Sequence, residues 1–295
     1  MGYKITTLME NHALKECLAA EHGLSLLVEG EGFRVLYDTG STGLFLQNAE
    51  ILGKDLKNLD ALVFSHGHYD HTGGTGALFA RGDFPAAVYL GNHFFDSRFS
   101  KKTDSCKDIG ARVSEADLEE AGIRWNVIGK EPVKIYGPEG SSKEACKDSS
   151  ECSPAEGMYL VSGFRTLEEM EHPLPNLVRE KDGQLEQDPF EDEVALVLIT
   201  EKNLCLVSGC THIGIISLCR QIEQLFGRPV TMFVGGTHLM DADDLRIEKT
   251  CRLLKQRGIR KLGACHCNGE KAGVYFEKHF PGFFRNNTGS VVTVE

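Results

Sequence analysis

Short apolar runs separated by turn residues alternate along the chain with stretches of helical periodicity. Residues 5–9 and 24–28 read as strands, and 33–37 follow across the turn Glu29-Gly30-Glu31-Gly32 as an antiparallel hairpin that ends in Asp38-Thr39-Gly40. Residues 60–65 form a short apolar strand running directly into a cluster of His and Asp. A glycine-opened helical stretch at 72–80 comes next, then a strand at 86–90.

The pattern weakens between about 100 and 154. Within it, Ser114 caps a helix at 114–122, with Asp117 three residues on, close to a capping box. Residues 137–154 are rich in Ser, Lys and Glu and read as a surface loop or insertion. Strands at 194–200 and 204–208 make a second hairpin across Glu201-Lys202-Asn203. A helix at 212–226, a strand at 230–234 and a long helix at 243–257 lead to a strand at 261–264, which runs into Cys265-His266-Cys267. Both halves thus place a His-containing turn after a strand. Hairpin-built sheets with helices between them predict an α/β fold, a four-layer αββα sandwich, with residues 1–295 as one domain carrying a polar insertion at about 100–155.

Composition narrows the partners. With 32 Lys+Arg against 43 Asp+Glu, the net charge of −11 works against nucleic acid, whose affinity comes largely from clustered cations releasing counterions. The one basic stretch, Arg252 through Lys255, Arg257 and Arg260 to Lys261, fits a solvated helix face. No apolar run approaches the roughly 20 residues of a spanning helix, and no basic-then-apolar leader opens the sequence, so no membrane partner is expected. Ten cysteines scattered over 295 residues, not packed into a short framework, point to free thiols in a reducing cytoplasm. The expected partner is a small-molecule substrate; oligomeric state has no signal.

The sharpest feature is Ser65-His66-Gly67-His68-Tyr69-Asp70-His71-Thr72-Gly73-Gly74. In an extended segment, residues two apart point the same way, so His66 and His68 can grip one ion from one side. The following turn swings Asp70 and His71 toward a neighbouring position. Imidazole and carboxylate suit zinc, manganese or iron, and hydroxide formed on such an ion attacks electrophilic carbon or phosphorus. One or two divalent ions are expected, zinc first. As chance surface histidines, these groups would crowd one another to no purpose.

This motif, His-x-His-x-Asp-His after a strand, closely resembles that of the metallo-β-lactamase superfamily. Asp38-Thr39-Gly40 is similar to the superfamily's first motif, whose Asp supports the metal loop, and His266 stands where its last ligand histidine is expected. Glu21-His22-Gly23-Leu24-Ser25, Ser208-Gly209-Cys210-Thr211-His212, Gly235-Gly236-Thr237-His238-Leu239 and Cys265-His266-Cys267-Asn268-Gly269 resemble a dihydropteroate-synthase-related branch. That likeness implies a methanopterin-pathway type of chemistry, joining a dihydropterin diphosphate to an aminobenzene ribotide.

Two departures stand out. Where the superfamily places a histidine before the second hairpin, this chain has Asp188, Glu191, Asp192 and Glu193, and where it places a bridging Asp after Gly209, this chain has Cys210. The expected repair is that His212 completes one group with His66 and His68, while Asp70, His71 and His266 form the second. His212 could instead be a helix-start histidine satisfied by backbone. Cys210 reads equally as a thiolate that favours zinc or iron and as an ordinary buried thiol.

Among the other candidates, His238 and His22 are expected near substrate, with structural packing as the alternative for each. His93 and Arg98 follow a strand and could reach an anionic substrate; His12, His172 and His279 carry little signal. If their stretch is extended, Cys265 and Cys267 face away from His266 and pack. Cys106, Cys146 and Cys152 read as exposed unpaired thiols, and Gly73-Gly74-Thr75-Gly76 lacks the lysine of a phosphate loop.

The expected function is a metal-dependent hydrolase acting on a small ester, lactone or phosphate-containing substrate, with Asp70 both ligating and orienting the attacking group. A dihydropteroate-synthase-like transferase and a metal-binding module without turnover are the alternatives. A di-iron redox role is set aside, because superfamily members of that kind carry carboxylates where this chain has Gly67 and Cys210.

Overall fold

The computed structural model describes residues 1–138 and 154–295. Most of the polar loop read at 137–154, with Cys146 and Cys152, lies outside the described residues. In the first half the strands are β1 (Tyr3–Met9), β2 (Ser25–Gly30), β3 (Phe33–Tyr37), β4 (Ala61–Val63), β5 (Val88–Gly91), β6 (Arg98–Lys102), β7 (Ser105–Asp108), β8 (Trp125–Ile128) and β9 (Val133–Tyr136). The second half supplies β10 (Gly157–Val161), β11 (Leu177–Lys181), β12 (Gln184–Gln187), β13 (Ala195–Ile199), β14 (Leu204–Ser208), β15 (Met232–Gly236), β16 (Lys261–Cys265), β17 (Phe283–Arg285) and β18 (Val291–Val294). The helices are α1 (Leu44–Ile51), α2 (Tyr69–Thr72), α3 (Thr75–Ala80), α4 (Glu115–Glu120), α5 (Ile215–Phe226), α6 (Asp244–Gln256) and α7 (Glu270–His279).

Among the described residues, one seven-stranded sheet runs β18-β1-β2-β3-β4-β5-β8 and another runs β17-β16-β15-β14-β13-β10-β9. A smaller four-stranded sheet, β12-β11-β6-β7, stands apart from them. Strands β8 and β9 are edge strands of the two large sheets, so the stretch expected as an insertion is built into both.

Side-chain alternation explains the layering. Leu196 and Leu198 of β13 join Leu26 and Val28 of β2 in the core between the sheets, whereas Ala195, Val197 and Ile199 join the buried face of α5. On the other sheet, Leu27 and Leu36 face outward onto Phe45 and Leu46 of α1, Leu78 of α3 and Leu118 of α4. A strand buried on both faces must be apolar throughout, as β13 is. The expected αββα sandwich is what the chain forms.

Local signals place the helices. Ser114 and Asp117 form a reciprocal capping box on α4, and the Asp243 side chain accepts from Arg246 N at the start of α6. Helix α5 buries Ile215, Leu218, Cys219, Ile222 and Phe226, a single face at helical spacing. It starts three residues later than its periodicity predicts, which leaves His212 in the preceding turn. Strands β3, β4 and β5 are parallel neighbours, as are β14, β15 and β16. Their carboxyl ends therefore share one edge in each sheet, where open α/β sheets commonly place binding sites.

Candidate metal centre

At that edge, Asp38 after β3 anchors the metal loop after β4. It is fully buried, accepts from Ser65 N (2.7 Å) through Oδ1, and accepts from His71 Nδ1 (2.6 Å) through Oδ2. That bond fixes the His71 tautomer and leaves Nε2 as its free donor atom. Ser65 Oγ lies 2.9 Å from His66 Nδ1, so the second nitrogen of His66 also points inward. It meets His68 Nδ1 at 3.0 Å and His212 Nε2 at 3.3 Å.

His212 comes from the turn after β14. Thr211, a β-branched residue, sits there at φ 60°, a conformation held by its hydroxyl donating to Gly236 O (2.7 Å) with Ser208 Oγ 3.1 Å away. Glycine at 209 is required by close approach, since a Cβ there would lie 2.2 Å from Ser65 Oγ. The acids found where a ligand histidine was expected hold backbone instead. Glu193 accepts from His212 N (2.7 Å) and Ile213 N (3.2 Å), and Asp192 accepts from Gly67 N (2.7 Å). Phe190 stacks on His212 with centroids 3.8 Å apart and planes at 9°.

His266 closes the far side from the 3-10 turn His266–Asn268 after β16. Its amide donates to Glu10 Oε1 (2.6 Å) and its Nδ1 to Asn11 Oδ1 (2.9 Å). Its Nε2 is buried without a hydrogen-bond partner, 3.2 Å from Asp70 Oδ2. His22, with a side chain 48% exposed, approaches the same Asp70 oxygen at 3.1 Å. His238 packs against His212 with centroids 4.2 Å apart.

Among the described residues three donor groups result, each with its ligand atoms within 4.8 Å of one another: His66, Cys210 and His212; His71, Cys210 and His266; and His22, Asp70 and His266. Neither expected set coincides with one of these groups: His66 and His212 are joined by Cys210, with His68 3.0 Å from His66 but in no group, and His266 is shared between a group with His71 and one with Asp70. Two ligand atoms on a tetrahedral ion with bonds of about 2.0–2.3 Å stand roughly 3.3–3.6 Å apart. The 3.3 Å between His66 and His212 and the 3.3 Å between His71 Nε2 and Cys210 Sγ fit that spacing. Together with the orphaned His266 nitrogen, this donor set fits a divalent cation.

Burial lowers the imidazolium of His68 to about 3 and that of His266 and His238 to about 4, and drives those of His66 and His212 well below 6.5. Neutral rings with free lone pairs are what ligation requires. Burial also acts against the imidazolium of His71, but Asp38 and then Asp70 outweigh it and raise that group to about 9. Asp70 stays well below its usual value of 3.8, because His71, His22 and His266 overcome its burial.

Two expectations are corrected here. Arg98 does not face an anionic substrate: 1% exposed, it is paired with Asp188 (2.8 Å) and Asp192 (3.0 Å), while His93 pairs with Asp96 on the surface. Alternation also fails at Cys267, because the 3-10 turn rotates it inward, so that its thiol donates to Cys210 O at 3.4 Å. Cys265 packs as expected, next to Asn286. Residues 10, 11 and 190 were silent in the sequence: a lone Glu-Asn pair after a strand and a single Phe carry no spacing signal.

Comparison with known proteins bears on the fold and the family. The sequence profile of the metallo-beta-lactamase superfamily matches residues 19–142. The chain is 29% identical, over 98% of its length and 96% of the relative's, to a 7,8-dihydropterin-6-methyl-4-(beta-D-ribofuranosyl)-aminobenzene-5'-phosphate synthase of Methanocaldococcus jannaschii. Among solved structures it is similar to Tm1679, described as a metal-dependent hydrolase of the beta-lactamase superfamily, with 27% identity, 99% of both chains covered and a TM-score of 0.80. A diphosphatase of the PhnP family shares the fold at 12% identity, with 100% of this chain and 98% of that one covered and a TM-score of 0.54. Motif, architecture and these comparisons together make the chain similar to the metallo-β-lactamase superfamily, whose sequence model matches residues 19–142.

Proposed function

We propose that this protein is a metal-dependent hydrolase of a small, phosphate-, ester- or lactone-containing molecule, using one or two divalent ions with zinc as the first choice. The observation that carries the reading is the convergence of His66, His68, His71, His212 and His266 with Asp70 at one sheet edge. A bound divalent ion supplies Lewis acidity there, polarising a substrate oxygen and making water more acidic. The remaining work falls to the chain. Asp38 holds His71 in one tautomer, and Asp192 and Glu193 fix the two ligand-bearing loops by their amides. Asp70, ionised, ligates and orients the attacking group, and exposed His22 against the same oxygen links it to solvent. Phe190 shields His212 from water, and His238 lines the wall beside it, against substrate.

A second reading rests on the synthase relative, whose likeness spans nearly the whole chain. On it, the same site assists loss of diphosphate from a dihydropterin diphosphate as an aminobenzene ribotide attacks. Metal analysis of the purified protein, with a screen over phosphodiester, thioester, lactone and pterin-diphosphate substrates, separates the two. Turnover of one substrate in water supports the hydrolase. Diphosphate release that requires both the pterin and the arylamine supports the transferase. Tight metal binding with no turnover in either assay returns the third reading, a module without catalysis.

A further inference from the structure

Cys210 stands at the meeting point of two donor groups, His66 with His212 and His71 with His266, and its ligand atom lies within 4.8 Å of all four partners. It is buried (3% exposed), and its Sγ lies 3.3 Å from His71 Nε2, the nitrogen that Asp38 leaves free. The buried Nε2 of His266, which makes no well-aligned hydrogen bond and has Asp70 Oδ2 at 3.2 Å, belongs to the second of these groups. The backbone around Cys210 is closely packed. Thr211 is held at positive φ directly after it, and a Cβ on Gly236 would lie 3.1 Å from Cys210 Cα and 2.5 Å from Cys267 Sγ.

We propose that Cys210 is a shared thiolate ligand, bridging two metal ions held by His66 and His212 on one side and by His71 and His266 on the other. The inference rests on the metal-dependent reading above. On ligation, the S–H bond breaks and the sulfur–metal bond forms with the electron pair that stays on sulfur; the proton leaves to solvent and nothing is oxidised. A soft thiolate at the shared position favours zinc or iron(II) over magnesium and manganese, which prefer oxygen ligands. The site is thereby biased toward thiophilic ions by one side chain.

Cobalt(II) substitution of the full chain tests this without any activity assay. The wild type should show visible ligand-field bands together with a near-ultraviolet sulfur-to-cobalt charge-transfer band that grows through two equivalents of metal. Cys210→Ser should lose that band, and Cys267→Ser, which removes the neighbouring thiol, should keep it. Cys210→Asp retains an anionic donor and secures the test if the serine variant fails to fold; it should bind cobalt with ligand-field bands alone, and its preference for zinc over manganese should fall at least tenfold. Ligand-field bands in the wild type without charge transfer would overturn the thiolate and leave the metal-dependent reading standing. A band lost in Cys267→Ser and kept in Cys210→Ser would reassign the sulfur. Growth that stops at one equivalent would overturn the bridge, and failure to bind cobalt at all would overturn both readings.

Discussion

Arg98 ties the metal loop to the loop that carries Phe190 and Glu193, and replacing it with Met should weaken fold and site together. The guanidinium is 1% exposed and pairs with Asp188 and Asp192, and it also donates to the carbonyls of Phe94 (2.9 Å) and His93 (2.9 Å). Arg98→Met keeps apolar volume but leaves two carboxylates, 1% and 0% exposed, without their cation. Breaking a buried pair from one side costs about 3–5 kcal/mol. At roughly 2–4 °C per kcal/mol for a chain of this size class, Tm should fall by on the order of 10 °C. The loss should be largest at neutral pH and above and shrink in acid, because a protonated carboxyl no longer needs the guanidinium. Adding Asp192→Asn to Arg98→Met should recover part of the loss by removing one stranded charge, a coupling that a double-mutant cycle reads directly. Since Asp192 also holds Gly67 N between His66 and His68, metal affinity should drop by about 10–100-fold in the single variant. Urea denaturation with metal titration measures both. An Arg98→Met protein as stable as wild type, or one that binds metal as tightly, would refute the assignment of this pair as the support of the loop.

Three further outcomes are expected. Chelation should lower Tm, and restoring metal at 100 times its Kd should return about 2.7 kcal/mol of stability; a melting curve indifferent to chelator and zinc would speak against a native metal site. Gly209→Ala drives a methyl against Ser65 Oγ and Cβ, so overpacking of about 1–3 kcal/mol should appear in denaturation, with weaker metal binding because the same turn aims Cys210 and His212. Glu171 accepts from Ile216 N, Ser217 N and Ser217 Oγ, each at 2.8 Å, at the start of α5. Its replacement by Ala should cost about 2–3 kcal/mol in urea denaturation, as orphaned helix-start donors lose a charged acceptor; an unchanged midpoint would deny it that role.

Residues that act through local periodicity were legible in the sequence; those that act through distant contact were not. The hairpin at 33–37 and the Asp38 that ends it stand out because alternation and a turn define them, and the His66–His71 cluster because its spacing works on one extended segment followed by one turn. Residues 188–193 show why the rest was hidden. Four acids in six positions read as departures from a ligand motif, yet three of them are bonded to Arg98, Gly67 N or His212 N from other parts of the chain. Arg98 read as a free cation because its acid partners lie about ninety residues away. Cys267 was misplaced by assuming that an extended strand continues past Cys265, where the backbone instead turns at His266 with φ 54°. Cys210 stayed undecided because one sulfur after one glycine has the same sequence signature whether it packs or ligates; only the histidines from β4, β14 and β16 around it distinguish the two.

The most direct test of the account is anomalous diffraction from crystals of the zinc-loaded protein, recorded on both sides of the zinc absorption edge. The account predicts edge-dependent density within bonding distance of His66 and His212, and of His71 and His266, with Cys210 Sγ between them. Zinc density elsewhere on the molecule, with those imidazoles bonded only to protein, would contradict it.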